Sequence, residues 1–334
     1  MSFVIVGHGS IGGKFRDNLK GRGFSNKSIF IVDKNKSILN KLSQEGYNCF
    51  ENIKDIDQNL EIKYGIVSNW GPDHISSAYE LFRFGCKRLI IEKPVSNNIN
   101  DLDNFANIVQ ENNLFVTVHH HWKYLELVTL IESAAKEYEL KNPVGIRLMG
   151  GALCLSTNGV HWLDLALEIL NSIPSSITAD LDIDYINPRD ESLAFIGGMS
   201  SFRLSNGSFI HISYTNQNSQ SGRAEIIYRH GLIDISVKGK VGKLKVYKRK
   251  KEDIEKYSDK ITRHGTLDLV GLVEFDNKST VDFVVDDLMN GEFPKVNLSR
   301  AKLSLKMIIG AIQSNFENKK ISWNEIKDQQ IRIS

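Results

Sequence analysis

Gly7, Gly9 and Gly12 follow directly on the apolar run Phe3-Val4-Ile5-Val6 and lead into a segment that sets Phe15 and Leu19 on one helical face. Glycine has a separate reason at each place: a tight bend at Gly7, close approach of backbone to a diphosphate at Gly9, and close helix–strand packing at Gly12. The anion would lie on the free N–H groups of Ser10, Ile11 and Gly12, where the helix dipole favours negative charge.

A second apolar strand, Ser28 to Val32, ends in Asp33, which lies 21 residues beyond Gly12. That is close to the ~20-residue spacing at which an acid meets the adenosine ribose of a dinucleotide. The bland alternative is that Asp33 caps the next helix. A carboxylate there accepts from ribose hydroxyls and repels a 2′-phosphate, so NAD is favoured over NADP. Lys34 and Lys36 follow it and soften that preference.

Two further stretches stand at the ends of strand-like runs, where doubly wound folds bind ligands. Asn69-Trp70-Gly71-Pro72-Asp73-His74 is a turn-rich loop after Lys63–Ser68, with Asp73 placed to cap the following helix and Gly85 to stop it. Glu92-Lys93-Pro94 follows Arg88–Ile91. A lysine held there by a rigid proline can bond both a nicotinamide ribose and a substrate hydroxyl, and partial burial would lower its pKa. The alternative is a surface turn.

His161 is the best candidate for general acid/base work, because imidazole titrates near working pH and the start of a helix favours its neutral form. Asp164, one turn on, can orient His161 or contact substrate. The run His119-His120-His121 invites a metal reading, but neighbours on a strand point to opposite faces and no carboxylate–histidine spacing supports it, so no metal is expected.

These residues need a scaffold. At 334 residues the chain suggests two domains. Net charge is +2, and the one basic cluster, Lys248–Lys251, runs into acidic residues, so nucleic acid is not the expected partner. Three unclustered cysteines speak for a reducing compartment, and no stretch approaches the ~18 apolar residues of a membrane span. The first strand begins at once, with no room for a signal peptide, and the expectation is a cytoplasmic protein.

Strands and helices alternate up to about residue 120, including helices over 37–45 and 100–111 and a strand over 114–118. That rhythm specifies a parallel, doubly wound Rossmann sheet in an α/β domain. Beyond it, strand-like runs at 145–149, 177–185, 199–204, 209–214, 224–228, 232–237 and 243–247, many joined by Asn-Gly, His-Gly or Lys-Gly, read as an antiparallel meander interrupted by a helix over 159–170. The expected division is residues 1–120 and 121–334, the second part α+β with a large open, mostly antiparallel sheet. The closing helix, 299–317, is expected to pack back on the first domain.

In this order the motifs resemble the Gfo/Idh/MocA family of NAD(P)-dependent oxidoreductases. The likeness rests on Gly7–Gly12, on Asn69-Trp70…His74, on Phe84-Gly85-Cys86-Lys87-Arg88-Leu89-Ile90-Ile91-Glu92-Lys93-Pro94, loosely on His121-Trp122-Lys123-Tyr124, and on Gly159-Val160-His161-Trp162-Leu163-Asp164. It implies hydride transfer between nicotinamide and a CH–OH group of a sugar, cyclitol or nucleotide sugar. Lys93, His161 and Thr157 would be the catalytic residues. Asn69, Trp70, His74 and Glu92 would lie near the cofactor, and His121, Lys123, Tyr124, Asn158 and Asp164 near the substrate. A dimer or tetramer through the open sheet face is the expected assembly.

The chain departs from the family at Thr157, where an aspartate is usual four residues before the histidine, and Asn158 stands beside it. A hydroxyl can bond substrate but cannot stabilise an imidazolium as a carboxylate does. Lys123 replaces the usual arginine, which disfavours bidentate recognition of an anion. A reductase is therefore as plausible as a dehydrogenase, and an NAD-binding sensor without turnover is the rival class. The segments 150–158 and 213–223 are pocket-lining candidates without a readable substrate code.

Overall fold

Phe3–Val6 (β1) carries four apolar residues in a row and is buried along its whole length, as a strand covered on both faces must be. The computed structural model describes residues 1–151, 153–183, 186–187, 190–215, 217–257, 266–329 and 332–333. Two compact units interleave along the chain. The first comprises Met1–Tyr124, Ser279–Leu305 and Gln330–Ser334, and the second Leu125–Lys278 and Lys306–Gln329.

In the first unit β1 is followed by α1 (Ser10–Gly21), β2 (Ile29–Val32), α2 (Lys36–Gln44), β3 (Asn48–Phe50), β4 (Tyr64–Val67), α3 (His74–Phe84), β5 (Arg88–Ile91), α4 (Ile99–Glu111), β6 (Phe115–Val118) and the short α5 (His121–Tyr124). The six strands pair in parallel in the order β3-β2-β1-β4-β5-β6. This is the Rossmann order, and the order reverses between β1 and β4. Gly85, at φ +117°, ends α3 in the left-handed region that glycine enters without strain. Asp73 makes no capping bond to α3: its backbone is helical, as the last residue of the tight turn Gly71–Asp73, and its carboxylate lies 3.7 Å from Lys34 Nζ.

The second unit opens with α6 (Leu127–Glu137) and β7 (Pro143–Gly151), then α7 (Val160–Leu170) and β8 (Pro174–Asp180). A small ribbon, β9 (Ile186–Asn187) with β10 (Asp190–Ala194), precedes β11 (Gly198–Leu204), β12 (Phe209–Thr215), β13 (Arg223–Tyr228), β14 (Gly231–Lys238) and β15 (Val241–Arg249). Helix α8 (Lys251–Tyr257) and the long edge strand β16 (Leu267–Asp276) follow. After these come α9 (Val281–Asn290), α10 (Leu298–Glu317) and β17 (Ile321–Ser322).

The larger sheet has nine strands in the order β16-β15-β14-β13-β7-β12-β11-β8-β17. It is not a pure meander. β7 and β12 pair in parallel, because the intervening β8 and β11 lie on the far side of β12 and return the chain in the direction of β7. Along β12 and β13 every second residue is buried, so one sheet face holds the core. The expected strand over 177–185 ends at Asp180, and Tyr185 lies outside the described residues. Ala152 and Asn216, within the two pocket-lining candidates, lie outside them too.

Helix α9 belongs to the first unit although it follows the whole second sheet in sequence. Arg22, the residue just after α1, pairs with Asp282 and, at 2.6 Å, with Asp286. Arg88 of β5 reaches the other end of α9, donating to the carbonyl oxygens of Leu288 and Gly291. Inside, the buried Asp287 accepts from Tyr124 Oη at 2.7 Å and from Thr117 Oγ1 at 3.1 Å.

Candidate functional site

The glycine turn has the geometry its residue types call for. Gly7 adopts φ +87°, and any Cβ there would collide with the backbone of Asn69. A Cβ on Gly12 would collide with the carbonyl oxygen of Gly7. Gly9 is different: it is exposed, and a Cβ there would meet nothing within 4 Å. The chain thus leaves open space at the one glycine whose task is to admit a diphosphate. No side chain caps α1 and its first turn holds no acid, so the N–H groups at Ser10, Ile11 and Gly12 face that space uncompensated.

Asp33 is fixed at the end of β2. Its Oδ2 accepts from the backbone N–H of His8 at 2.6 Å and its Oδ1 from that of Asn35 at 2.8 Å. The carboxylate is thereby tied to the glycine turn. Asn35 caps α2 with its own side chain, so the helix does not need Asp33 for that purpose. The side chain of Lys34 is 93% exposed.

Two buried polar atoms beside the turn, His8 Nε2 and Asn69 Oδ1, have no hydrogen-bond partner among the described residues. Burial, aided by the nearby Arg16, pushes the His8 pKa down despite Asp33. A dinucleotide offers such atoms donors and acceptors, and the open cradle at Gly9 accommodates it, so the residues present fit NAD.

The Asn69 loop and the Lys93 loop are tied together. His74 is buried, with Nδ1 2.7 Å from the carbonyl oxygen of Pro94 and Nε2 3.1 Å from that of Asn69. Burial lowers its pKa. Its ring is thus consumed as a strut between two loops. Trp70 and Lys93 are half-buried.

Glu92 is buried and bonds His119 Nδ1 through Oε1 at 2.5 Å. Burial pushes this carboxyl up, but His119, Lys93 and His74 together hold it below the usual carboxylate range. His119 Nε2 lies 2.7 Å from Thr280 Oγ1, and His121 Nδ1 lies 3.1 Å from the same oxygen. His119 and His121 therefore converge on one hydroxyl. Among the described residues there is no group of three or more His, Cys, Asp or Glu able to hold a metal ion. Lys123 is half-buried. Tyr124 is 2% exposed, and its hydroxyl bonds Thr117 and Asp287, which gives it a structural task in the first unit.

In the second unit one π-type turn, Leu155–Gly159, precedes α7. Asn158 Oδ1 accepts from Cys154 N at 3.1 Å and from Thr157 Oγ1 at 3.2 Å, so these neighbours brace one another. His161, in the first turn of α7, is half-buried, and Asp164 is 2% exposed. Gly159 lets α7 approach β12: a Cβ there would stand 3.4 Å from the Tyr214 ring. The Tyr214 hydroxyl is buried without a partner among the described residues. Tyr214 lies within the pocket-lining candidate 213–223, in an ordinary alternating strand. Thr280 escaped the sequence reading, because it precedes a helix whose place in the first unit has no local signal.

Residues 1–120 match the family described as "Oxidoreductase family, NAD-binding Rossmann fold", the Gfo/Idh/MocA group. Over these 120 residues the chain is similar to that family. With the glycine cradle and Asp33, they form an NAD-binding Rossmann domain. No curated protein matches the chain by sequence. Among solved structures, a putative NADPH-dependent oxidoreductase from Desulfitobacterium hafniense has TM-score 0.73 at 12% identity, covering 97% of this chain and 98% of that one. An oxidoreductase from Agrobacterium radiobacter, in complex with NAD+, L-tartaric acid and magnesium, has TM-score 0.71 at 13% identity, with 97% and 98% covered. UDP-N-acetylglucosamine 3-dehydrogenase from Acidithiobacillus ferrooxidans has TM-score 0.69 at 14% identity, with 95% and 97% covered. At these identities the likeness is one of fold, and it extends over both units.

Proposed function

We propose that the protein is an NAD(H)-dependent oxidoreductase that interconverts a secondary alcohol and a ketone on a sugar, cyclitol or nucleotide sugar. The observation that carries this reading is the pairing of an open glycine cradle at Gly9 with a carboxylate at Asp33 hydrogen-bonded to the same turn. The family of residues 1–120 supports it, as does the fold shared with a nucleotide-sugar dehydrogenase. NAD, when bound, accepts or supplies the hydride.

The chain's own residues bind, orient and manage the proton. Asp33 accepts from the adenosine ribose hydroxyls and disfavours a 2′-phosphate, which selects NAD over NADP. Asn69 and Trp70 border the cofactor, and His74 holds their loop at its distance from Pro94. Lys93 holds the nicotinamide ribose and the reacting oxygen as a cation. His161 moves the proton at that oxygen, since hydride transfer to or from a carbon bearing oxygen requires one. Thr157, Asn158 and Asp164 bind or orient around it. A carboxylate-free Thr157 fits a histidine that donates as readily as it accepts.

In this reading the protein is cytoplasmic. A second copy is the expected cover for the half-exposed face of the nine-stranded sheet, which light scattering tests directly.

The deciding experiment is titration with NADH and NADPH separately, then a screen of polyols, cyclitols and nucleotide sugars by NADH absorbance. Lys93→Ala and His161→Ala serve as controls. Tight NADH binding with turnover abolished in both variants supports the enzyme. Tight binding without turnover on any substrate points to a sensor, and no binding of either nucleotide overturns both.

A further inference from the structure

Thr280 stands at the N-terminal end of α9, the position where a threonine hydroxyl ordinarily caps the helix, yet it makes no side-chain capping bond. Its Oγ1 lies instead between two imidazoles, 2.7 Å from His119 Nε2 and 3.1 Å from His121 Nδ1. Thr280 is 1% exposed and His119 7%, whereas His121 is half-buried. Beyond His119 the chain of bonds ends on the buried carboxylate of Glu92, at 2.5 Å.

Two proton arrangements satisfy every bond in this chain. In the first, His121 donates from Nδ1 to Thr280 Oγ1, Thr280 donates to His119 Nε2, and neutral His119 donates from Nδ1 to Glu92. In the second, His119 is an imidazolium that donates to both Glu92 and Thr280, and Thr280 donates to the bare Nδ1 of His121, which carries its hydrogen on Nε2. The two differ by one proton, and each keeps all three bonds.

We infer that Glu92, His119, Thr280 and His121 form a buried proton relay in the first unit, with His121 as its outer end. A proton taken up at His121 Nε2 releases the Nδ1 hydrogen to Thr280 Oγ1, whose own hydrogen passes to His119 Nε2. The charge then rests on His119 beside Glu92. The use of the relay in catalysis rests on the oxidoreductase reading. There, the relay holds one proton in reserve on His119 while His161 manages the proton at the reacting oxygen.

Among the described residues, Lys93 and His74 act on Glu92, Tyr124 lies edge-on to His119 with Asp287 hydrogen-bonded behind it, and the uncharged Trp122 lies edge-on to His121. α1 faces His119 with the uncharged Phe15.

The test is long-range 1H–15N correlation of the histidine rings in the full chain across a pH titration without nucleotide, with assignments from His119→Gln and His121→Gln. In the wild type His119 becomes an imidazolium while His121 moves its hydrogen from Nδ1 to Nε2, both at one midpoint. Thr280→Val separates the two events, and Thr280→Ser keeps them together. A His121 that becomes an imidazolium at its own midpoint overturns the relay, as does coupling that survives Thr280→Val. The wild-type spectra decide the matter by themselves should the valine variant not fold. Failure to find turnover leaves this readout untouched, so the relay and the enzyme reading fail separately.

Discussion

Arg88, the first residue of β5, donates through Nη2 to the carbonyl oxygen of Gly291 at 2.6 Å, joining residues 203 apart in sequence. Its Nε bonds the carbonyl oxygen of Leu288, and its guanidinium lies 3.9 Å from the centroid of the Phe115 ring. The last carbonyls of a helix have no partner within it, and a cation there also suits the dipole. Arg88 therefore closes α9 from the sheet side while Arg22 holds its outer face, and together they keep Thr280 on the histidines.

Arg88→Ala should cost about 2–3 kcal/mol, the range for hydrogen bonds to a charged group with buried partners left unmet. Urea unfolding reads the loss, and amide exchange should speed up along α9 before it does in β1. Arg88→Lys should recover only part, because an ammonium cannot reproduce the fork. An unchanged midpoint would mean that α9 is held by its apolar face alone.

The glycine turn separates folding from binding. Gly9→Ala adds a Cβ that meets nothing in the chain, so thermal stability should stay close to the wild type while NADH affinity falls. Gly12→Ala drives its Cβ onto the Gly7 carbonyl and should cost about 1–3 kcal/mol of stability as well as binding. Calorimetric melts paired with NADH titration distinguish the two. Equal effects on both readouts would count against the diphosphate position.

Asp33→Ala should weaken NADH at least tenfold, about 1.4 kcal/mol, and narrow its advantage over NADPH. The variant loses the acceptor for His8 N–H and Asn35 N, so a melt must accompany the titration. An NADH affinity that does not move would return Asp33 to a purely local role.

The first sheet was legible because its signals are local. Four-residue apolar strands, a glycine triplet and a strand-end acid each speak within a dozen residues, and the strand order follows from right-handed crossovers. The site around Thr280 was not. Nothing near Thr280 in sequence says that α9 returns to a domain whose last strand closed some 160 residues earlier, since that placement rests on Arg22, Arg88 and Asp287 meeting partners far along the chain. The parallel β7–β12 pair was hidden for the same reason: turn chemistry fixes neighbouring hairpins, not which strand a returning segment lies beside. Tyr124 shows the converse case. Its place in a family-like motif suggested substrate, and its burial on Asp287 is invisible without the fold.

Glu92 makes stability depend on acid. Although burial raises its pKa, its cationic neighbours leave it below the ordinary carboxylate value, so the unfolded chain binds the proton more readily than the folded one. The contribution is present above the unfolded value, about 4.5, and is lost as pH falls through the folded value. Urea midpoints measured from pH 6 down to pH 3 should therefore drop more steeply for the wild type than for Glu92→Gln. Parallel slopes would show that Glu92 is not ionised in the folded protein.

Tyr124→Phe distinguishes a structural hydroxyl from a substrate-binding one. The hydroxyl donates to the 7%-exposed Asp287 at 2.7 Å, and Asp287 also accepts from Thr117 and from the backbone N–H of Lys295 at 3.2 Å. Removing one of three donors from a buried carboxylate should cost about 1–3 kcal/mol, since the lone pair left behind cannot reach water. NADH affinity should stay the same, because the ring and its packing remain. Once a substrate is in hand, KM should also be unchanged. A shifted KM with an unshifted melt would restore Tyr124 to the substrate site and require Asp287 to find another donor.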